Sequence, residues 1–137
     1  MAEPFDDQWR ELGFYCDHDT KAKHYRLIGS RSGLMRFASL LREYVADPRN
    51  ATKSEHEHYG PWGLEVMTWP EAGMDDHAIH GPLSKLVGLA DIVERSLSAA
   101  VPGQRVRIRE EFSPAAEFTL VLDVRADGFD PPLAEQE

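Results

Sequence analysis

SEHEHYGPWGLEVMTWPEAGMDDHAIHG, residues 54–81, decides how this chain folds, because it lies between two segments of plain helical periodicity and is itself patterned for strands. From Trp62 to Trp69, Leu64 and Val66 alternate with Glu65, Met67 and Trp69, the two-residue repeat of a strand with both faces partly covered. Pro70 to Asp75 reads as a turn, and His77 to His80 as a short second strand. The pair is therefore expected as a central hairpin. It also holds four of the six histidines and two of the three tryptophans, so a site is to be sought here first.

Working outward, Gly29-Ser30-Arg31-Ser32 supplies turn and N-cap chemistry, since a serine hydroxyl can accept an amide of the first helical turn. Leu34, Phe37, Ala38, Leu41, Tyr44 and Val45 follow at helical spacing until Pro48 ends the run. Residues 47–57 are polar, without a repeat, and read as an exposed loop. After Gly81-Pro82, Leu83, Leu86, Ala90, Val93 and Leu97 form the stripe of a second helix, which Pro102-Gly103 closes off. His24–Ile28 is a strand, with Phe14–Cys16 a shorter run before it; a final hairpin sets Val106, Ile108 and Phe112 against Phe118, Leu120, Leu122 and Val124. The arginines of that hairpin, at 105, 107 and 109, fall on the polar face opposite Glu117 and Asp123.

The order β-α-β-β-α-β-β implies an α+β, two-layer sandwich, with a ferredoxin-like sheet carrying both helices on one face. All 137 residues suit a single domain, in which 1–13 is a lead-in and 129–137 a tail, both expected to be poorly ordered. Phe5 and Trp9 are the residues that could pin the lead-in.

Composition excludes several function classes. A formal charge of −9 disfavours nucleic acid, whose phosphates are bound by Lys and Arg. No apolar run approaches the ~18–20 residues of a membrane span, and the start lacks the basic-then-apolar pattern of a signal peptide. Cys16 is the single cysteine, so no internal disulfide forms and a reducing cytoplasm is the expected compartment. Between Tyr15 and Asp17, it is a strand residue rather than an activated nucleophile.

The candidate chemistry is sparse. His56-x-His58 puts two imidazoles on one face of an extended segment, and His77-x-x-His80 follows across a turn; with Glu65, Asp75 or Asp76 these could hold zinc or a similar divalent ion. The spacing matches no specific zinc pattern, and histidines making surface or capping hydrogen bonds explain it as well. Ser84 and Ser113 lack the elbow and fixed partners of a hydrolase. Glu65, Glu71, Asp75 and Asp76 could serve acid/base work but sit near turns, where carboxylates are solvated. Gly29–Gly33 lacks the Lys-Ser/Thr ending of a phosphate-binding loop. No catalytic residue is assigned. Tyr59, Trp62 and Trp69, flanked by His56 and His58, form an aromatic set of the kind that anchors protein interfaces.

The run Gly29-Ser30-Arg31-Ser32-Gly33-Leu34-Met35-Arg36-Phe37-Ala38-Ser39-Leu40-Leu41, followed after a loop by His56-Glu57-His58 and a strand, resembles immunity proteins of bacterial polymorphic toxin systems, of the immunity-protein 32 type. That type has a Gly-Ser/Asn-x-x-Gly-Leu-x-x-Leu-Ala helix start before a His-x-His strand. The resemblance covers roughly residues 24–69; Pro61-Trp62-Gly63 and the segment from Trp69 onward depart from it. It implies a non-enzymatic cytoplasmic protein, without cofactor, that binds and neutralises a cognate toxin domain, basic if the acidic surface is complementary. Two other readings stay open: a His-rich metal binder or metal-dependent hydrolase, and a small module that homodimerises through an open sheet.

Overall fold

The computed structural model describes residues 5–61 and 64–137. Helix α2 (Arg31–Ala46) begins where its cap residue dictates: Ser30 is extended, and its Oγ accepts the Gly33 N–H at 3.1 Å. Leu34, Phe37, Ala38, Leu41 and Tyr44 form its buried stripe. Helix α3 (Leu83–Ser98) follows Pro82 and buries Leu86, Leu89, Ala90, Val93 and Leu97. The two helices pack on each other. At their rim Arg42 of α2 reaches Asp91 and Glu94 of α3 at 2.6 and 2.7 Å.

The fold is α+β, with its strands divided between two mixed four-stranded sheets. The first contains β1 (Tyr15–Asp19), β2 (His24–Ser30), β8 (Thr119–Arg125) and β7 (Arg105–Ile108), side by side in that order. The second contains β3 (His56–Tyr59), β4 (Leu64–Thr68), β6 (Ile79–Gly81) and β5 (Gly73–Met74). Where the sequence suggests one sheet with a central hairpin of 62–69 and 77–80, β4 and β6 instead run parallel, with Val66 opposite Ile79 and Met67 opposite His80. Each takes its antiparallel partner from elsewhere: β4 from β3, and β6 from the two-residue β5. The reason is that β3, His-Glu-His-Tyr, is a polar edge strand with His56, Glu57 and His58 exposed. It shows no apolar alternation, yet its backbone groups still need partners.

The chain thereby consists of two ββαββ halves, β1-β2-α2-β3-β4 and β5-β6-α3-β7-β8. In each half the inner strand ends in glycine just before its helix, at Gly29-Ser30 and Gly81-Pro82, and both helices have 16 residues. The halves interlock, since β2 pairs in parallel with β8 of the other half and β4 with β6. Tyr25, Leu27, Leu120 and Leu122 of the first sheet share one hydrophobic core with Leu64, Val66, Met74 and Ile79 of the second. Polar ties join the layers. The Glu117 and Phe118 N–H groups donate to Met74 O at 3.0 and 3.1 Å, and the Ser113 hydroxyl donates to Ala72 O at 2.7 Å. At the far end the Tyr44 hydroxyl lies 2.6 Å from Glu55 O and 2.7 Å from Thr68 Oγ1.

Residues 5–13 and 129–137 pack against the rest of the chain, where composition suggests a poorly ordered lead-in and tail; residues 1–4 of that lead-in lie outside the described residues. Helix α1 (Asp6–Leu12) buries Trp9, whose ring lies 4.7 Å from that of Tyr15. Gly13, at φ +98°, ends the helix, and Arg36 Nε donates to Leu12 O at 3.0 Å. A Cβ at Gly33 would stand 2.2 Å from Gly13 O, so this glycine lets α2 approach the α1 terminus. The C-terminal 3-10 segment (Pro131–Gln136) buries Pro131, Pro132 and Ala134 against β1 and β2. It covers the β1–β2 part of the outer face of the first sheet, where Ile28 and Val121 are buried on the side opposite Leu27 and Leu122, while Arg105 and Arg107 of β7 stay exposed on that face. No helix among the described residues is long and apolar enough to cross a membrane.

Candidate functional site

The corresponding outer face of the second sheet is left open. Alternation along β3 and β4 turns His56, His58, Glu65 and Met67 outward, with His56 opposite Met67 and His58 opposite Glu65. The parallel register adds His80 beside Met67, so His56, Met67 and His80 form one row across three strands. Trp69 continues β4, its N–H donating to Gly81 O at 3.0 Å, and its half-buried ring carries the Lys53 ammonium 4.6 Å from the ring centre. Ser54, His56, Met67, Trp69, Asp75 and His80 line a cleft of about 560 Å³ on this face, within the range of ligand clefts.

The turn beside the cleft is built by Asp75, whose Oδ1 accepts the N–H groups of His77 and Ala78 at 2.8 and 3.0 Å. Asp75 Oδ2 stands 3.5 Å from His80 Nε2, while His80 Nδ1 lies 3.0 Å from Glu71 O. Gly73 makes room for that imidazole: a Cβ there would come within 2.8 Å of its Cε1. His58 Nε2 is 3.2 Å from Glu65 Oε1, His77 Nε2 is 3.6 Å from Asp76 Oδ1, and His56 Nδ1 is 3.1 Å from Ser54 O. Each of the four imidazoles thus has its own local partner.

The four histidines read as a metal set are held in different ways. His56 and His58 do share a face, with ring centres 5.3 Å apart. His77, in the turn, and His80, over Gly73, line the same cleft as His56, yet no three His, Cys, Asp or Glu side chains among the described residues gather as metal ligands. The aromatic set also divides. Trp69 is on the open face, whereas Tyr59 pairs with buried Leu64 and packs on the core side. Burial raises the Tyr59 phenol above its ordinary range, with neighbouring Glu57 adding to the effect. Trp62 lies outside the described residues.

The nucleophile candidates are committed elsewhere. Ser113 is buried with its hydroxyl given to Ala72 O. Cys16 is buried in β1, where desolvation pushes its thiol well above the ordinary range and so away from the reactive thiolate. Ser30 is a cap, and Gly33 is a packing contact. Sequence reasoning missed Met67 as a cleft residue and Lys53 as a cation on Trp69; the alternation of β4 signals the first, while nothing local to Lys53 signals the second.

Charge is distributed as unevenly as shape. Residues 54–84 hold six carboxylates, Glu55, Glu57, Glu65, Glu71, Asp75 and Asp76, and no Lys or Arg, so they carry −6 of the chain's −9. All four strands of the second sheet lie in this span. On the first sheet, arginines answer the carboxylates: Arg26 with Asp17 at 2.8 Å, and Arg105 and Arg125 with Asp123 at 3.4 and 3.1 Å. No protein-family model, no curated protein and no solved structure matches this chain.

Proposed function

We propose that this chain is a non-enzymatic binding protein of the immunity type, acting in the cytoplasm, whose partner is a basic toxin domain that it neutralises by occupying it. The observation that carries this reading is the open outer face of the second sheet with its Trp69-lined cleft, formed within a span, residues 54–84, that carries −6 of the chain's −9. An acidic segment steers a basic partner during diffusion, and the half-buried Trp69 supplies area for an anchor. On the first sheet the same outer face is covered over β1 and β2 by the chain's own C-terminal segment. The Gly29–Leu41 and His56–His58 resemblance to immunity proteins adds the biological role.

The test is relief of toxicity. If a toxin-domain gene neighbours this one in the genome, its expression should arrest growth, and co-expression of this chain should restore growth, with the two proteins co-purifying as a complex. Absence of both rescue and complex formation would overturn the reading.

A further inference from the structure

We infer that the cleft on the open face of the second sheet is a receptor for a cationic side chain, a lysine or arginine projecting from the basic partner, and that Lys53 is the internal occupant it displaces. This rests on the binding reading above and names the chemistry of its contact. The first support is the cation already present: Lys53 Nζ lies 4.6 Å from the centre of the Trp69 ring, within the distance at which the ring's electron-rich face attracts an ammonium. Among the described residues Lys53 has no carboxylate within ion-pair distance, so the ring and not a salt bridge is its counterpart.

The second support is what surrounds that seat. Asp75 lines the same cleft, Glu65 shares the face, and from Ser54 to Ser84 there is no other Lys or Arg to compete for either. Met67 gives the floor a polarisable apolar surface on which the methylenes of a lysine or arginine can lie while the charge meets Trp69 and Asp75. The third support is the way Lys53 is presented. Ser54, next to it, holds a positive φ of +75°, uncommon for a residue with a side chain, and its N–H donates to Thr68 O at 2.9 Å. The loop is thus fixed to β4 at the residue beside the lysine, while the lysine itself is exposed and held only by its ammonium. A partner's cation entering the cleft replaces one cation on the ring with another and frees Lys53 to solvent.

The experiment titrates the full-length protein with a lysine hexapeptide, followed by calorimetry and by tryptophan fluorescence, with a glutamate hexapeptide as control. The lysine peptide should bind saturably and the glutamate peptide should not. Lys53→Ala should tighten binding about threefold to tenfold and Trp69→Phe should weaken it about threefold to tenfold, the range a surface-to-partly-buried cation–π contact supplies. Lys21→Ala, which removes the same charge from the first β-turn, should change affinity less than twofold, separating the cleft from the overall field. Trp69→Phe keeps an aromatic ring at the site, and its circular dichroism spectrum should match the wild type.

Equal effects of Lys53→Ala and Lys21→Ala, or no effect of Trp69→Phe, overturn the inference. If a toxin domain is bound and neutralised with affinity indifferent to Lys53→Ala and Trp69→Phe, the cleft assignment falls and the immunity reading stands. If no toxin is neutralised but the peptide responds as described, the receptor stands without that role.

Discussion

Two buried tyrosines show how the same hydroxyl has opposite worth at different positions. The Tyr44 hydroxyl ties α2 to the second sheet through Glu55 O and Thr68 Oγ1 at 2.6 and 2.7 Å. Tyr25 is fully buried, packed against His18 and Phe118, and its hydroxyl has no protein partner among the described residues. Burial holds the Tyr25 phenol protonated, its ionisation raised far above the ordinary range, with Asp75 adding to the effect. Tyr44→Phe should therefore lower stability by about 0.5–1.5 kcal/mol, because it removes the hydroxyl's hydrogen bond to Glu55 O, which keeps the Thr68 N–H as a donor, while Tyr25→Phe should be neutral or stabilising by up to about 1 kcal/mol. Urea denaturation of both variants checks this; a Tyr25→Phe loss equal to that of Tyr44→Phe would contradict it. At this scale much was legible. The Ser30 cap and the shared face of His56 and His58 follow from local rules, whereas the Gly33 contact with Gly13 O joins residues that only folding brings together.

At the scale of elements, the C-terminal segment is the one whose order depends most on charge. Asp130 receives two guanidinium hydrogen bonds from Arg10, both at 2.9 Å, and Glu137 receives two from Arg125, at 2.6 and 2.5 Å. The Arg125 guanidinium also lies 5.1 Å from the centre of the Phe129 ring. The arginine contacts hold both carboxyl groups below their ordinary range. A depressed carboxylate pKa favours the packed segment at pH above the unfolded value, and that contribution is lost as pH falls through the depressed folded value. The segment 130–137 should accordingly loosen in acid, below about pH 4, before the helices melt. The Ala134 amide signal in nuclear magnetic resonance should move toward its random-coil position over that window, and Arg125→Gln should produce the same shift at neutral pH. A tail resonance that stays fixed until global unfolding would count against it. Helices α2 and α3 were legible because long stripes repeat at helical spacing. Helix α1 and the tail were not, since seven residues around one buried tryptophan and a short Pro-Pro turn carry too little periodicity to read.

For the whole molecule, the proposed association with a basic partner should be a long-range event, because charge is so unevenly distributed. Screening shortens the reach of such charges from about 10 Å at 0.1 M salt to about 3 Å at 1 M. Raising salt from about 0.05 to 0.5 M should slow association by tenfold or more and change dissociation much less, as seen by stopped-flow fluorescence with the toxin domain. A salt effect confined to dissociation would place the attraction in the close contacts and not in the field of the acidic sheet.

The sequence by itself determined the α+β class, both long helices and the Ser30 cap, the alternation of β4 and the acidity of residues 54–84, because each depends on neighbours a few positions apart. Tertiary structure alone decided that β4 and β6 run parallel, that β2 is completed by β8 from the far end of the chain, and that two sheets form in place of one. Strand pairing is fixed by which backbone groups find partners across the core, and a polar edge such as β3 carries no side-chain pattern to announce it. The same long-range choice covered the β1–β2 part of the first sheet's outer face with the tail and left Trp69, Met67, His56 and His80 lining a cleft on the second.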